Sequence, residues 1–203
     1  MSGKFIVFEG VDGSGKSSTL DKVVSLLKGY GFEVVLTREP GGTPLGEKVR
    51  DLLLYEEMHP ETEALLMFAA RREHVEKVIL PALKRGAIVV SDRFVDSSFA
   101  YQCGGRGLSV EKMRALEFWT LEGLTPDLTL FFDLPVEVSM KRLESARVPD
   151  KFEKQGKDFF ESVRQAYHAR IALDEAGYRI IDAKKSMEEV WTDVQEVLTK
   201  FMQ

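Results

Sequence analysis

The sequence predicts an α/β fold: a three-layer α/β/α sandwich around a five-stranded parallel sheet. Three observations carry that expectation. Short apolar, β-rich runs recur at residues 5–8, 34–37, 87–91, 128–133 and 179–181, without the alternation of a half-exposed strand, as in buried parallel sheets. Longer helical patterns fill the gaps, at 16–28, 43–54, 61–84, 109–122, 136–145, 157–175 and 186–201. Between the first run and the first helical pattern lies a glycine-rich segment, Gly10-Val11-Asp12-Gly13-Ser14-Gly15-Lys16-Ser17.

That segment matches G-x-x-x-x-G-K-[ST], and its place between a strand and a helix makes it a P-loop. Glycines let the backbone close on an anion, so successive amides and the positive end of the next helix converge on phosphates. Lys16 adds a cation at the β/γ-phosphates and Ser17 a hydroxyl for Mg²⁺. Gly29 and Gly31 mark the end of the first helix. The second strand runs into Thr37-Arg38-Glu39-Pro40-Gly41-Gly42-Thr43, charged residues at a tight turn, with Pro44 suited to the first turn of the next helix. Pro81 is expected to end or kink the long middle helix. The third strand ends in Ser91-Asp92-Arg93-Phe94, a carboxylate placed for a Mg²⁺ shell and a guanidinium able to fork onto phosphate. Ser186, three residues before Glu189, reads as a capping box for the last helix. Ligands of such sheets bind at the carboxyl ends of the strands.

The chain has 203 residues, 44% hydrophobic and 30% charged, enough for a single domain, 1–203, and short for two. A net charge of −5 gives no broad attraction to nucleic acid or acidic membranes, so the expected ligand is small. Cys103 is the only cysteine, and neither a signal peptide nor a long apolar run is evident; a cytoplasmic location without membrane association is expected. A GTP-dependent switch would require an Asn-Lys-x-Asp segment, which does not occur. His59, His74 and His168 lack ligand spacing and are expected at the surface or as caps. Phe118, Trp119 and Leu121 are expected to pack into the core or a dimer contact.

Taken together, the P-loop with Ser18, the Thr37–Thr43 turn, Asp92-Arg93-Phe94 and Ser97-Ser98-Phe99-Ala100-Tyr101-Gln102 resemble the bacterial thymidylate kinases in order and spacing. The likeness extends through Pro126-Asp127-Leu128-Thr129 and Asp158-Phe159-Phe160 over nearly the whole chain. The resemblance implies transfer of the γ-phosphoryl group of ATP to thymidine monophosphate, Mg²⁺ dependence and a homodimer, with 109–122 in the interface. It implies that Gly10, Val11, Asp12, Gly13, Ser14, Gly15, Lys16, Ser17 and Ser18 hold ATP. Arg93 would bridge the two phosphates, Arg38 grip the acceptor phosphate, and Asp12 meet the sugar 3′-hydroxyl. Ser17, Glu39 and Asp92 would hold Mg²⁺, the carboxylates through its waters. Arg50, Arg71, Ser98, Tyr101 and Gln102 match acceptor-pocket positions.

Two places depart from the family pattern. Met67 stands where a phenylalanine usually stacks on thymine, leaving Met67 and its neighbour Phe68 as alternatives. The P-loop carries Gly13 where some members carry a catalytic arginine, so a lid at about 145–156 is expected to supply the cation. Arg147 is favoured there over Lys151, whose ammonium cannot make a forked contact.

Overall fold

A computed structural model describes residues 3–144, 151, 152 and 154–203. Five strands, β1 (Lys4–Glu9), β2 (Val34–Arg38), β3 (Ile88–Asp92), β4 (Leu128–Asp133) and β5 (Tyr178–Asp182), form one parallel sheet in the order β2-β3-β1-β4-β5. The expectation of strands buried on both faces holds for β1, β3 and β4. It fails for β2 and β5, whose Leu36 and Ile180 are exposed, because these two form the edges and are covered incompletely.

Alternation along β1 divides the core. Ile6 and Phe8 face a cluster with Leu20, Val23 and Leu27 of α1 (Lys16–Gly29) and Val190, Val194 and Leu198 of α9 (Met187–Phe201). Phe5 and Val7 face a second cluster with Ala64 and Phe68 of α3 (Pro60–His74) and Met113 and Leu121 of α6 (Val110–Leu121). Removing such side chains from water is worth about 1.5–3 kcal/mol each, which is why the inner strands carry apolar residues on both faces.

The local signals act as expected at several boundaries. Thr43 accepts from the Gly46 amide at the start of α2 (Pro44–Tyr55), and Ser186 with Glu189 closes a full capping box on α9. Pro81 does not end the middle helix but falls in the first turn of its last α-helical segment, where a proline is tolerated. The chain widens into a π-helical turn over Val75–Ile79, which makes room for the proline ring, and continues as α4 (Leu80–Lys84). One helical stretch has no counterpart in the sequence reading: α5 (Val95–Ser98), followed by π-type turns over Phe99–Gly105. Its residues from Phe99 to Gln102 are all buried, so no polar face marks a helical period. Among the described residues the remaining helices are α7 (Val136–Glu144), α8 (Lys157–Ile171) and a 3₁₀ turn over Glu175–Gly177.

Register fixes the site. Phe8 and Arg38 both lie opposite Asp92, so the loops leaving β1, β2 and β3 emerge at one level. Two backbone bonds tie them together, Glu39 N to Asp92 O at 2.9 Å and Arg93 N to Phe8 O at 2.9 Å.

Candidate active site

The first component is the loop after β1. Gly10 has φ 142°, and a Cβ there would lie 2.6 Å from the Phe132 carbonyl oxygen, so the turn out of β1 demands glycine. Gly15 precedes α1 in the left-handed conformation without a side-chain cap, which leaves the first-turn amides for an anion. Lys16 folds back into this loop, its Nζ donating to the carbonyl oxygens of Gly10 (2.8 Å) and Val11 (3.1 Å) and to Ser14 Oγ (3.3 Å). Burial, and then the neighbouring Arg93 charge, push its pKa down to about 8. Residues 12–18 line a crevice with Arg38, Glu39, Arg50, Asp92 and Arg93, and the Ser17 and Ser18 side chains are exposed at its mouth. Asp92 Oδ1 is buried and has no hydrogen-bond partner.

A second cavity adjoins the crevice. Its walls include Pro40, Gly41, Leu54, Met67, Arg71, Ser98, Tyr101 and Phe152, and it shares Asp12, Glu39, Arg50 and Arg93 with the first. Arg93 stands at the junction. Its Nη2 bonds Asp12 Oδ1 at 2.6 Å and approaches Tyr101 OH at 3.3 Å, while Tyr101 OH donates to Asp12 Oδ2 at 2.9 Å. Burial alone would raise the Asp12 pKa, but Arg93 and Lys16 outweigh it and hold the carboxylate down at about 2. Arg38, half-exposed at the rim, pairs with Glu47 at 2.8 Å, and Arg50 donates to the Pro40 carbonyl at 2.8 Å.

The wall beneath the Pro-Gly-Gly turn is an ionic network. Arg71 Nε binds Glu39 Oε2 at 2.7 Å, and its Nη2 reaches Ser98 Oγ (2.9 Å) and Phe94 O (3.2 Å). Glu39 Oε1 meets His74 Nδ1 at 2.8 Å, and His74 Nε2 meets Thr37 Oγ1 at 2.6 Å. His74 is therefore fully buried, contrary to the surface or capping role expected of it. His59 does cap α3, accepting from Glu61 N. Burial would raise the Glu39 pKa, yet Arg71 and His74 hold it below the ordinary value. Gly42 lies against this network: at φ 78° a Cβ would sit 2.6 Å from the His74 ring. Arg71 Nη1 is buried, lacks a partner and belongs to a residue of the cavity wall.

Placement of the other expected residues is uneven. Met67 lines the cavity, with Ser98 Oγ 3.7 Å from its sulfur, whereas Phe68 lies in the core under the Arg71 guanidinium. Gln102 is not among the lining residues; its Nε2 donates to Glu63 Oε1 at 2.9 Å and its Oε1 is unpartnered. Lys151 is buried, paired with Glu63 at 2.8 Å and donating to the Glu56 carbonyl at 3.0 Å. Arg147 lies outside the described residues, as do 145–150 and 153 of the expected lid. Phe118 and Trp119 are 81% and 75% exposed rather than in the core, while Leu121 is buried.

Sequence reasoning missed several contributors. Glu9 is buried at the end of β1 beside Arg93, where burial and then Asp96 raise its pKa to about 7. Tyr167 and Ser97 join it there, Glu63 anchors Lys151 and Gln102, and Arg142 donates to the Gly13 carbonyl at 3.1 Å. Two of these carried a local signal: Glu9, an acidic residue at the end of an apolar strand immediately before a P-loop, and Ser97, which opens the Ser97–Gln102 motif.

Residues 8–194 match the family described as Thymidylate kinase. The chain is 58% identical over 201 residues to a protein named thymidylate kinase from Methylobacillus flagellatus, covering 99% of both. It is 55% identical to one of the same name from Nitrosomonas eutropha, covering 98% of this chain and 94% of that one. The corresponding protein of Cupriavidus metallidurans is 54% identical over 198 residues, covering 98% of each.

Proposed function

The chain belongs to the thymidylate kinase family, and on that premise we propose how its residues move the γ-phosphoryl group of ATP to thymidine monophosphate, giving thymidine diphosphate and ADP for dTTP synthesis. The observation that carries this reading is the junction of the two cavities at Asp12, Glu39, Arg50 and Arg93. One cavity has the amides and lysine of a phosphate cradle; the other has a wall that mixes apolar and hydrogen-bonding side chains, as a nucleoside requires. A phosphoryl group in transit must lie where they meet.

Phosphoryl transfer asks the protein mainly to align two phosphates and neutralise charge. The loop amides of Gly10–Ser18 and Lys16 hold ATP, and Arg93 spans donor and acceptor phosphates from the junction. Arg38 is placed at the rim to grip the acceptor phosphate, and Arg50 lies beside it. Asp12, kept ionised by Arg93 and Lys16, accepts the sugar 3′-hydroxyl, with Tyr101 against the ribose. Arg71 Nη1 supplies an unmet donor for a thymine carbonyl, Ser98 holds Arg71 in place, and Met67 packs on the ring. Gln102 reads the thymine edge only after a shift from Glu63. The acceptor phosphate oxygen is already anionic, so no general base is required.

Mg²⁺ suits this donor set as a hydrated ion. Among the described residues no three His, Cys, Asp or Glu side chains gather to cage a metal, but Asp92 Oδ1 is buried without a partner and Ser17 is exposed at the loop. Ser17 would hold the ion directly, and Asp92 and Glu39 through its waters. When bound, the ion neutralises charge on the β- and γ-phosphate oxygens. Residues 1–203 act as one kinase domain with a lid at about 145–156, in which Arg147 supplies the additional cation. α6 joins two copies of the chain through Phe118 and Trp119, and the enzyme works in the cytoplasm.

The deciding experiment is ADP release with ATP, Mg²⁺ and a panel of nucleoside monophosphates, with Arg93→Ala as control. The expected result is strong preference for thymidine monophosphate and collapse of turnover in the variant. Preference for another monophosphate overturns the pocket assignments, and full turnover in the variant overturns the bridging role of Arg93.

A further inference from the structure

Behind Arg93 three oxygen-bearing side chains converge: Glu9 and Tyr167, buried and away from both cavities, and Ser97, half-buried at the wall of the acceptor cavity. Glu9 Oε1 accepts the amides of Phe94 (2.8 Å) and Ser97 (3.3 Å), and Glu9 Oε2 accepts the hydroxyls of Ser97 (2.6 Å) and Tyr167 (3.0 Å). Both hydroxyl protons turned on the carboxylate leave the oxygen lone pairs free. Arg93 Nη1 lies 3.2 Å from Ser97 Oγ and 3.2 Å from Tyr167 OH, and 2.9 Å from the Gly10 carbonyl. The two hydroxyl oxygens are themselves 2.8 Å apart.

The backbone beneath is constrained equally. Arg93 has φ 68°, a left-handed value unfavourable for a long side chain. It is held by its amide on Phe8 O, by Ser91 Oγ donating to its carbonyl at 2.7 Å, and by the next amide on Glu9. The groups on the front of the guanidinium, Asp12 and Tyr101, belong to the acceptor pocket and meet substrate. Of those at the back, Glu9 and Tyr167 line neither cavity, and Ser97 reaches the acceptor cavity but not the phosphate crevice.

We propose that Glu9, Ser97 and Tyr167 are positioning residues for phosphoryl transfer, acting through Arg93: they fix the plane of its guanidinium from behind while its front exchanges protein partners for phosphate oxygens. A guanidinium is a planar fork whose contacts with two phosphates depend on orientation. Held only by Asp12, Tyr101 and the Gly10 carbonyl, it would be freer to follow either phosphate out of line. The proposal rests on the bridging role given to Arg93 above.

Tyr167→Phe removes one hydroxyl from an otherwise unchanged core ring, and Ser97→Ala removes the other. Each is measured alone and combined with Arg93→Ala, using steady-state kinetics and, for weak variants, single turnover at high enzyme concentration. The expected result for either variant is a kcat lowered roughly 10- to 100-fold with both KM values within about twofold. In the Arg93→Ala background the same substitutions should cost nothing further, because residues acting through one another are not additive. The urea midpoint separates loss of positioning from loss of fold, and Ser97→Ala keeps the test open if the tyrosine variant is unstable. An unchanged kcat, an effect confined to KM, or an equal loss in both backgrounds overturns the positioning role while leaving Arg93 in place. Full activity of Arg93→Ala alone overturns the bridging role itself, and the positioning role with it.

Discussion

Lys16 shows how the site sets one residue against solvent. Its ammonium is buried against carbonyl oxygens beside Arg93, and its pKa falls to about 8. Phosphate favours the charged form, so ATP binding should be constant below that pH and weaken above it, by up to about tenfold per pH unit. Calorimetric titration of a non-hydrolysable ATP analogue from pH 7 to 9.5 should show this slope, and Lys16→Met should remove it; a flat wild-type profile would count against the lysine. Glu9 runs the other way. Its folded pKa of about 7 exceeds the ordinary 4.5, so the native state holds the proton more tightly than the unfolded chain. The contribution is complete below about pH 4.5 and is lost as pH rises through 7. Asp96 adds to the rise; Ser97, Arg93 and the Phe94 amide oppose it. Urea unfolding at pH 5.5 and 7.5 should find that Glu9→Gln flattens this fall, whose slope is at most about 1.4 kcal/mol per pH unit. Equal pH dependence in both proteins would remove Glu9 as its source.

At the scale of elements, the Pro-Gly-Gly turn and the segment at Lys151 are each tied to a buried carboxylate. The turn after β2 is rigid: Gly42 at φ 78° lies against His74, which in turn holds Glu39. Gly42→Ala should cost about 1–3 kcal/mol from backbone strain and overlap, and raise KM for thymidine monophosphate as Glu39 and Arg71 shift. Unchanged stability by urea unfolding would show that the turn relaxes freely. Lys151 is spent on Glu63. Lys151→Ala leaves buried Glu63 with the Gln102 amide and only the more distant Arg106, at 3.8 Å, and should destabilise the protein by about 3 kcal/mol. Arg147→Ala should lower kcat with little change in the unfolding midpoint. If Lys151→Ala alone reduced kcat at unchanged stability, the lid roles would be exchanged. The sequence signals for these elements were unequal. Thr43-Pro44 and Ser186–Glu189 declared helix starts through short-range hydrogen bonds, whereas 95–105 declared nothing, since burial on nearly all sides erases amphipathic period.

For the whole molecule, Phe118 and Trp119 are the most exposed large apolar side chains among the described residues. The pair lies on α6, whose Met113 and Leu121 already face the core. Replacing Trp119 with glutamate should convert a dimer to a monomer at micromolar concentration in sedimentation, with small effect on the unfolding of each chain. A wild-type chain that sediments as a monomer would remove the interface.

By itself the sequence determined the α/β fold, its five parallel strands, the P-loop and the identity of the Arg38, Asp92 and Arg93 loops. Each is written in contiguous residues whose spacing or backbone demands are local. Tertiary structure alone decided that β2 and β5 are edges, that His74 is buried on Glu39, that Lys151 pairs with Glu63, and that Glu9, Ser97 and Tyr167 meet behind Arg93. These partners are separated by 35 to 158 positions where the hydrogen bonds record it, as for His74 with Glu39 and Tyr167 with Glu9. Their meeting follows from strand order and register, which depend on packing the entire chain at once.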